Sequence, residues 1–275
     1  MTSQPLDPDA FRAFEHAGWE RIPERYHESF ANLTTQAIGP LLDAADVRGG
    51  AHLLDVAAGP GYVAGAAAQR GASVVGVDFS AAMVAQAHRQ YPALEFREGD
   101  AEALPFPDGR FDTVVTNFGL LHLARPEKAL AEAHRVLRSG GRIAFTVWAK
   151  PEVALGFGIV LRAVQSHGNT NVPLPLGPPF FRFSEPRECS RVLLEAGFVT
   201  PAVTQVPQVW RLRSPAALFE IMLQGTVRTA GLLRAQTAEA LDAIRADIRD
   251  AAKAHRKGDS IELPMPAVLA SAIKR

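Results

Sequence analysis

The 275-residue sequence has a single cysteine, Cys189, which excludes an internal disulfide and any metal site built from several cysteines. It also lacks an excess of either charge, since 29 basic residues balance 29 acidic ones. Proteins that hold a nucleic-acid backbone usually carry a basic surplus, so no nucleic-acid partner is expected. No apolar run reaches the roughly 18 residues that suggest a membrane-spanning helix, so no membrane span is expected either.

The N-terminal residues 1–5 lack the charged and apolar regions of a signal peptide, and the expected location is therefore the cytoplasm. Apolar residues are abundant, at 47% against 21% charged, which is typical of a globular protein with a substantial core. The length suits one α/β domain with insertions.

The first half of the chain divides into a helical start and an alternating core. Apolar side chains recur at helical spacing in residues 1–48, which predicts an N-terminal helical cap. Residues 49–150 alternate short apolar runs with helical segments, as expected for a parallel sheet covered by helices on both faces. The predicted strands of this core are 52–57, 73–78, 94–97, 111–117 and 142–148.

The second half is less regular. Residues 151–184 are rich in proline and aromatic residues. This segment is longer than a simple connecting loop, so it is expected to form a lid or wall over a site. Residues 185–275 are assigned to the remainder of the core, with strands at 199–212 and 265–273 and a helical insertion at about 214–257. The predicted fold class is α/β: a Rossmann-like, seven-stranded, mostly parallel sheet with helical cap elements from the N-terminus and from the insertion between the last two strands.

The segment 54–61, Leu-Asp-Val-Ala-Ala-Gly-Pro-Gly, is the most informative motif. A strand runs directly into a glycine turn and a helix, and the glycines allow backbone to approach a ligand closely. By itself the pattern also fits a plain strand–helix turn, because position 64 is Ala and not a third glycine. Asp78 adds a second signal, since it ends the next strand, where a carboxylate can accept both ribose hydroxyls of an adenosine.

Further motifs in the core combine with these two. The full set comprises Asp55-x-x-x-Gly59-x-Gly61, Asp78, the stretch 98–106 with Asp100, Phe111-Asp112, His122 and the run 135–141. Together they resemble class I S-adenosylmethionine-dependent methyltransferases. Within that class the sequence is similar to the ubiquinone/menaquinone C-methyltransferase-like branch over about residues 50–148. The resemblance specifies fold and cofactor and says little about the substrate.

The resemblance implies S-adenosylmethionine as cofactor and S-adenosylhomocysteine as product. Asp55 would hold the methionine amino group, directly or through water. The backbone from Ala57 through Gly59 to Gly61 would line the cofactor, and Asp78 would bind the ribose hydroxyls.

The same resemblance assigns residues to the adenine and to the sulfonium. Phe79 and Met83 would pack on the adenine, although Met83 is equally typical of a core residue. Asp100 would accept a hydrogen bond from the adenine amino group, helped by the backbone amide of Ala101. Asn117, at the end of the fourth strand, would lie beneath the sulfonium.

Methyl transfer is an in-line displacement at a carbon activated by positive sulfur, so the protein mainly aligns the acceptor and excludes water. A base is required only where the nucleophile must lose a proton. His122 is the candidate catalytic base, because its strand-end loop should face the methyl group. The alternative is that His122 only packs or hydrogen-bonds in the loop.

Aromatic residues outside the core are candidates for contact with the acceptor. Trp19, Tyr26 and His27 precede the sheet, and Phe180 and Phe181 follow the proline-rich segment. Together they would form a chamber for an aromatic or apolar small-molecule acceptor. Aromatic residues at such spacings are also typical of an ordinary core.

Two other functions share this fold. A NAD(P)-dependent oxidoreductase has the same turn and the same acid, but it usually shows a third glycine near position 64 and no acid at position 55. A non-catalytic binding module would have degenerate cofactor positions, whereas the acids and glycines are present. No metal site is expected. The terminal strand and the inserted helices either pair subunits in a homodimer or only cover the sheet.

Overall fold

The computed structural model describes residues 7–275 as an α/β fold, so residues 1–6 of the predicted cap lie outside the described residues. The helices are α1 Pro8–Trp19, α2 Pro23–Ser29, α3 Ala31–Thr34, α4 Ile38–Ala44, α5 Tyr62–Gln69, α6 Ala81–Gln90, α7 Pro126–Val136, α8 Leu155–His167, α9 Pro186–Glu195, α10 Ala217–Gly225, α11 Arg228–Arg234 and α12 Ala238–Lys253. The strands are β1 His52–Val56, β2 Ser73–Asp78, β3 Glu95–Glu98, β4 Phe111–Asn117, β5 Leu137–Trp148, β6 Phe198–Val206, β7 Val209–Leu212, β8 Arg256–Lys257, β9 Ser260–Pro264 and β10 Ala267–Lys274. Short 3₁₀ turns lie at Thr35–Ala37, Leu120–His122 and Arg182–Ser184.

The main sheet has seven strands in the order β3-β2-β1-β4-β5-β10-β6. β1 to β5 run parallel, and β10 runs antiparallel to both of its neighbours. The predicted Rossmann-like, mostly parallel, seven-stranded sheet is therefore confirmed. The strand order reverses at β1, which lies between β2 and β4, and ligands of open α/β sheets bind at the carboxyl ends of strands beside such a reversal.

Local signals set the ends of the core helices. The Ser80 hydroxyl accepts a hydrogen bond from the backbone N–H of Met83 at 3.1 Å and thereby caps α6. Pro126 opens α7 in its first turn, where a missing N–H costs nothing. Ser80 and Pro126 thus determine where the helix after β2 and the helix before β5 begin.

The prediction of a single strand over residues 199–212 is wrong. The chain leaves the main sheet after β6, and β7 joins β9 and β8 in a separate three-stranded sheet. The break falls at Gln208, a buried residue whose side-chain amide donates to the carbonyl of Leu33 at 2.7 Å. The small sheet also packs on the N-terminal helices, with Trp210 4.8 Å from Phe30 between ring centroids.

Helices α10, α11 and α12 occupy the predicted helical insertion. Within residues 7–275, no helix has the length and apolar character that crossing a membrane demands.

Gly61 provides a test of the turn that follows β1. Its φ is +83°, and a Cβ there would lie 2.7 Å from the ring of Phe96. We expect Gly61→Ala to lower the free energy of unfolding by about 1–3 kcal/mol, because the residue would be strained in the left-handed region and would overlap the ring. Chemical denaturation measures this change.

Gly39, inside α4, is the matched control. Apart from its chain neighbours and the backbone of its own helix, no heavy atom of residues 7–275 lies within 4 Å of the Cβ that Gly39→Ala would introduce. This substitution should change stability by less than about 1 kcal/mol, because the better helix propensity of alanine is opposed by the ring of Pro40, which disfavours a Cβ on the residue before it. Equal losses at the two positions would contradict the assignment of strain to Gly61.

Candidate active site

A cavity opens at the carboxyl ends of the parallel strands and encloses about 1210 Å³, its mouth included. Small-molecule sites are typically concave and mostly apolar with a few polar groups, and the lining of this cavity, which combines aromatic side chains with carboxyl and amide groups, has that character. The predicted site residues that line it are Trp19, Tyr26, Asp55, Ala57, Gly59, Asp78, Phe79, Met83, Asp100, Ala101, Asn117, His122 and Phe180.

Three predicted site residues lie outside this lining. Gly61 forms the left-handed turn that starts α5. His27 is exposed, and its ring contacts the hydroxyl of Tyr62 and the amide of Gln90 instead of the cavity. Phe181 packs edge-on behind Phe180, with their ring centroids 4.9 Å apart. The structure therefore does not bring His27 and Phe181 to the place expected for the acceptor.

Asp55, the residue before the last of β1, has a fully buried carboxyl group on the cavity wall. Its Oδ2 accepts a hydrogen bond from the backbone N–H of Ala64 at 3.1 Å, whereas Oδ1 has no partner within residues 7–275. Burial raises the pKa of Asp55 to about 8. A buried acceptor without a partner is costly, and a ligand ammonium group is a partner that would satisfy it.

Asp78 lies at the end of the adjacent strand and is also buried. Its Oδ2 accepts from the N–H of Gly59 at 2.8 Å, and its Oδ1 accepts from the N–H of Ser80 at 3.0 Å. Burial raises the pKa of Asp78 to about 6, although these two hydrogen bonds oppose the shift. Each oxygen keeps a further lone pair, so the carboxylate can still accept two ligand hydroxyls.

Asp100 and Asn117 are held by neighbours. Asp100 forms an ion pair with Arg12 of α1, with 2.6 Å between Oδ2 and Nη2. The amide oxygen of Asn117 accepts from the hydroxyl of Thr146 at 2.5 Å, and its amide nitrogen donates to the carbonyl of Thr34 at 3.1 Å. The cap thus contacts the cavity at the expected adenine end and at the end of β4.

Glu15 is a site residue that was not predicted from the sequence. It is fully buried, and its Oε2 accepts from the indole N–H of Trp19 at 3.0 Å. The same oxygen lies 3.0 Å from Nδ1 of His122. A signal was present in the sequence, because Phe11, Glu15 and Trp19 are spaced by four residues and place an acid within an apolar helical stripe.

Arg228, at the start of α11, was also missed. It lines the cavity, and its guanidinium lies over the rings of Phe11 and Phe180 at 5.1 Å and 5.3 Å. It donates to the carbonyl of Pro178 at 3.0 Å and forms no salt bridge with another of residues 7–275. Burial lowers its pKa. No sequence signal marked it, since the insertion lies far from every core motif.

The comparisons with known proteins agree with this geometry. Residues 54–145 match a family model described as a methyltransferase domain. A demethylmenaquinone methyltransferase of Beutenbergia cavernae is 43% identical over 121 residues, which are 42% of this chain and 50% of that protein. The chain spans about half the length of the curated relatives it matches.

Solved structures extend the likeness over most of the chain. The YcgJ protein of Bacillus subtilis is 22% identical with a TM-score of 0.57, covering 87% of this chain and 98% of its own. The phosphoethanolamine N-methyltransferase 2 of Haemonchus contortus, solved with phosphomonomethylethanolamine and S-adenosylhomocysteine, is 19% identical with a TM-score of 0.58, covering 96% and 60%. At these identities the structures establish a shared fold. The family match over residues 54–145 and the similarity to demethylmenaquinone methyltransferases confirm the predicted resemblance to class I methyltransferases.

Proposed function

We propose that this chain, whose residues 54–145 form a methyltransferase domain, transfers a methyl group from S-adenosylmethionine to an aromatic or otherwise apolar small molecule. S-adenosylhomocysteine is the second product. The observation that carries the proposal is the buried Oδ1 of Asp55, which has no hydrogen-bond partner among residues 7–275. It lies beside the carboxylate of Asp78, and both line one cavity at the carboxyl ends of adjacent strands.

The residues present fit the cofactor. Asp55 would receive the amino group of its methionine part, and Asp78 would receive the ribose hydroxyls. When bound, the cofactor supplies a methyl group on a positively charged sulfur. Phe79, Met83 and Asp100 would surround the adenine. A cytoplasmic location and association into homodimers remain predictions.

The acceptor side of the cavity is mostly aromatic. Trp19 lies edge-on to Tyr26 at 5.5 Å and to His122 at 4.9 Å between ring centroids. Burial raises the pKa of Tyr26 to about 12, so at neutral pH its hydroxyl is uncharged and does not act as a base. His122 is then the group on this wall that can take a proton from an acceptor.

Calorimetric titration with S-adenosylmethionine and S-adenosylhomocysteine tests the proposal, with NAD and NADP as controls. We expect micromolar binding of the two adenosyl ligands and none of the dinucleotides. Binding of a dinucleotide alone would support an oxidoreductase. Binding of neither class would support a non-catalytic module.

The chamber gives a separate prediction. Phe180→Ala should raise the acceptor KM by about 10- to 100-fold, because burial of an aromatic ring contributes about 1.5–3 kcal/mol. The affinity for S-adenosylhomocysteine should not change, since Phe180 lies on the acceptor side. Steady-state kinetics measure the effect, using an acceptor obtained from a screen of phenols.

Phe181→Ala is the control, because Phe181 packs behind Phe180 and does not line the cavity. Phe181→Ala should lower thermal stability. It should change the acceptor KM by less than about 3-fold, which is well below the change expected for the loss of a fully buried contact with the acceptor. Equal rises in KM for both variants would contradict the direct role of Phe180.

A further inference from the structure

The buried carboxylate of Glu15 comes from the cap and not from the sheet. Burying a charged carboxylate costs several kcal/mol unless hydrogen bonds compensate. The indole N–H of Trp19 donates to Oε2 of Glu15, and Nδ1 of His122 lies 3.0 Å from the same oxygen, whereas Oε1 has no partner within residues 7–275. An apolar residue at this position would pack as well without that cost, so the acid points to a role at the site.

The contact with Glu15 determines which nitrogen of His122 carries the proton. An ionised carboxylate only accepts hydrogen bonds, so a hydrogen bond from His122 to such a carboxylate at Glu15 places the proton on Nδ1, the nitrogen that faces it at 3.0 Å. In a neutral imidazole the lone pair then resides on Nε2. An acid that orients a histidine in this way leaves the second nitrogen free to act as a base.

Charged groups from two other elements lie near this pair. The guanidinium of Arg228, in α11, lies over the ring of Phe11, one helical turn before Glu15. The carboxylate of Asp78, at the end of β2, interacts with His122.

We propose that Glu15 is the positioning residue for His122, and that the acceptor is an aromatic compound with an ionisable hydroxyl group. This inference rests on the proposed function. An amine can attack the methyl group without prior loss of a proton. A phenolic hydroxyl, with a pKa of about 10, is mostly protonated at neutral pH and needs a base.

Methyl transfer to such a hydroxyl moves one proton and two electron pairs. The O–H bond of the acceptor breaks and its proton passes to Nε2 of His122. An electron pair of the oxygen forms the bond to the methyl carbon. The bond from that carbon to sulfur breaks with its electron pair left on sulfur, which gives S-adenosylhomocysteine. His122 later returns its proton to solvent.

Nitrogen-15 NMR of the complex with S-adenosylhomocysteine tests the positioning role without any acceptor. In the wild type, neutral His122 should be in the Nδ1–H form. Glu15→Gln should shift it substantially toward the Nε2–H form. Asp9→Asn is the control, because it breaks the exposed ion pair of α1 with Arg125 and leaves the buried pair intact. An unchanged tautomer in Glu15→Gln would overturn the inference.

Methylation rates supply the second test. They are measured with pairs of aromatic acceptors that differ only in carrying a hydroxyl or an amino group, such as 2-naphthol and 2-naphthylamine. We expect methylation of the hydroxyl members at oxygen. Glu15→Gln should lower kcat by about 10- to 100-fold with little change in KM, and His122→Gln should lower it further. The inference would be overturned if only the amino acceptors were methylated, if neither member of any pair were methylated, or if Glu15→Gln had the kcat of the wild type.

The affinity for S-adenosylhomocysteine distinguishes a failure of the proposed function from a failure of the role proposed for Glu15. Glu15→Gln should bind it within about 3-fold of wild type, which also shows that the variant is folded. If the wild type binds no adenosyl ligand, the proposed function fails. If it binds normally while the tautomer and kcat do not respond to Glu15→Gln, only the role of Glu15 fails.

Discussion

Replacement of Asp78 by asparagine is expected to weaken the binding of S-adenosylmethionine and S-adenosylhomocysteine by about 100-fold. Hydrogen bonds to a charged group contribute about 1.5–3 kcal/mol each, and each 1.4 kcal/mol is a tenfold change in affinity. The amide keeps one acceptor oxygen and loses the charge. It also places an N–H₂ group against the backbone N–H of Gly59 or Ser80. Calorimetry measures the affinity.

Ser80→Ala is the control for this variant. It removes the hydroxyl that caps α6 and leaves the carboxylate of Asp78 in place. We expect a loss of about 1 kcal/mol in stability and an unchanged affinity. If Ser80→Ala weakened binding as much as Asp78→Asn, the effect at position 78 would reflect the loop and not a contact with ribose.

Binding of S-adenosylhomocysteine at pH 7 should release up to about one proton, and Asp55→Asn should abolish most of that release. The pKa of Asp55 is about 8 in the unliganded protein, so at pH 7 the carboxyl is mostly protonated. An ammonium group that binds to it favours the ionised form. Titrations in phosphate and in Tris measure the released protons through the different ionisation enthalpies of the buffers. Undiminished release in Asp55→Asn would contradict this assignment.

The same residue makes stability depend on pH. Burial raises the pKa of Asp55 from the ordinary value of 3.8 to about 8 in the folded protein. Between these values the folded state holds a proton that the unfolded state has lost, so the contribution of Asp55 to stability falls as the pH rises. Asp55→Asn should therefore gain thermal stability relative to wild type from pH 5 to pH 9 without ligand. A constant difference across this range would contradict the raised pKa.

Much of the core could be predicted because its signals are local. The first four strands lie within one residue of the predicted bounds, since the apolar runs that define them are continuous in sequence. Asp55, Asp78 and Asn117 lie at or one residue before the carboxyl ends of parallel neighbouring strands, and the topology alone brings them to one edge of the sheet. Their roles toward a ligand stay predictions.

Other features depend on contacts between distant segments. β7 pairs with β9 about fifty residues later, and no alternation within 199–212 reveals that it leaves the main sheet. Arg228 meets Phe11 only through tertiary packing. The sequence also does not show in which direction an aromatic side chain points. For this reason it predicts His27 and Phe181 in the acceptor chamber, whose wall they do not line.

The position of β10 affects how the chain folds. This strand separates β5 from β6 and hydrogen-bonds to both. During synthesis, β5 and β6 therefore both present unpaired edges until residues 267–274 have emerged, long after the rest of the sheet is available. Unpaired strand edges promote association between chains, and late long-range pairing slows folding. Synthesis of β10, which follows that of β5 and β6, thus ends the interval during which these two strands are most prone to pair with another chain.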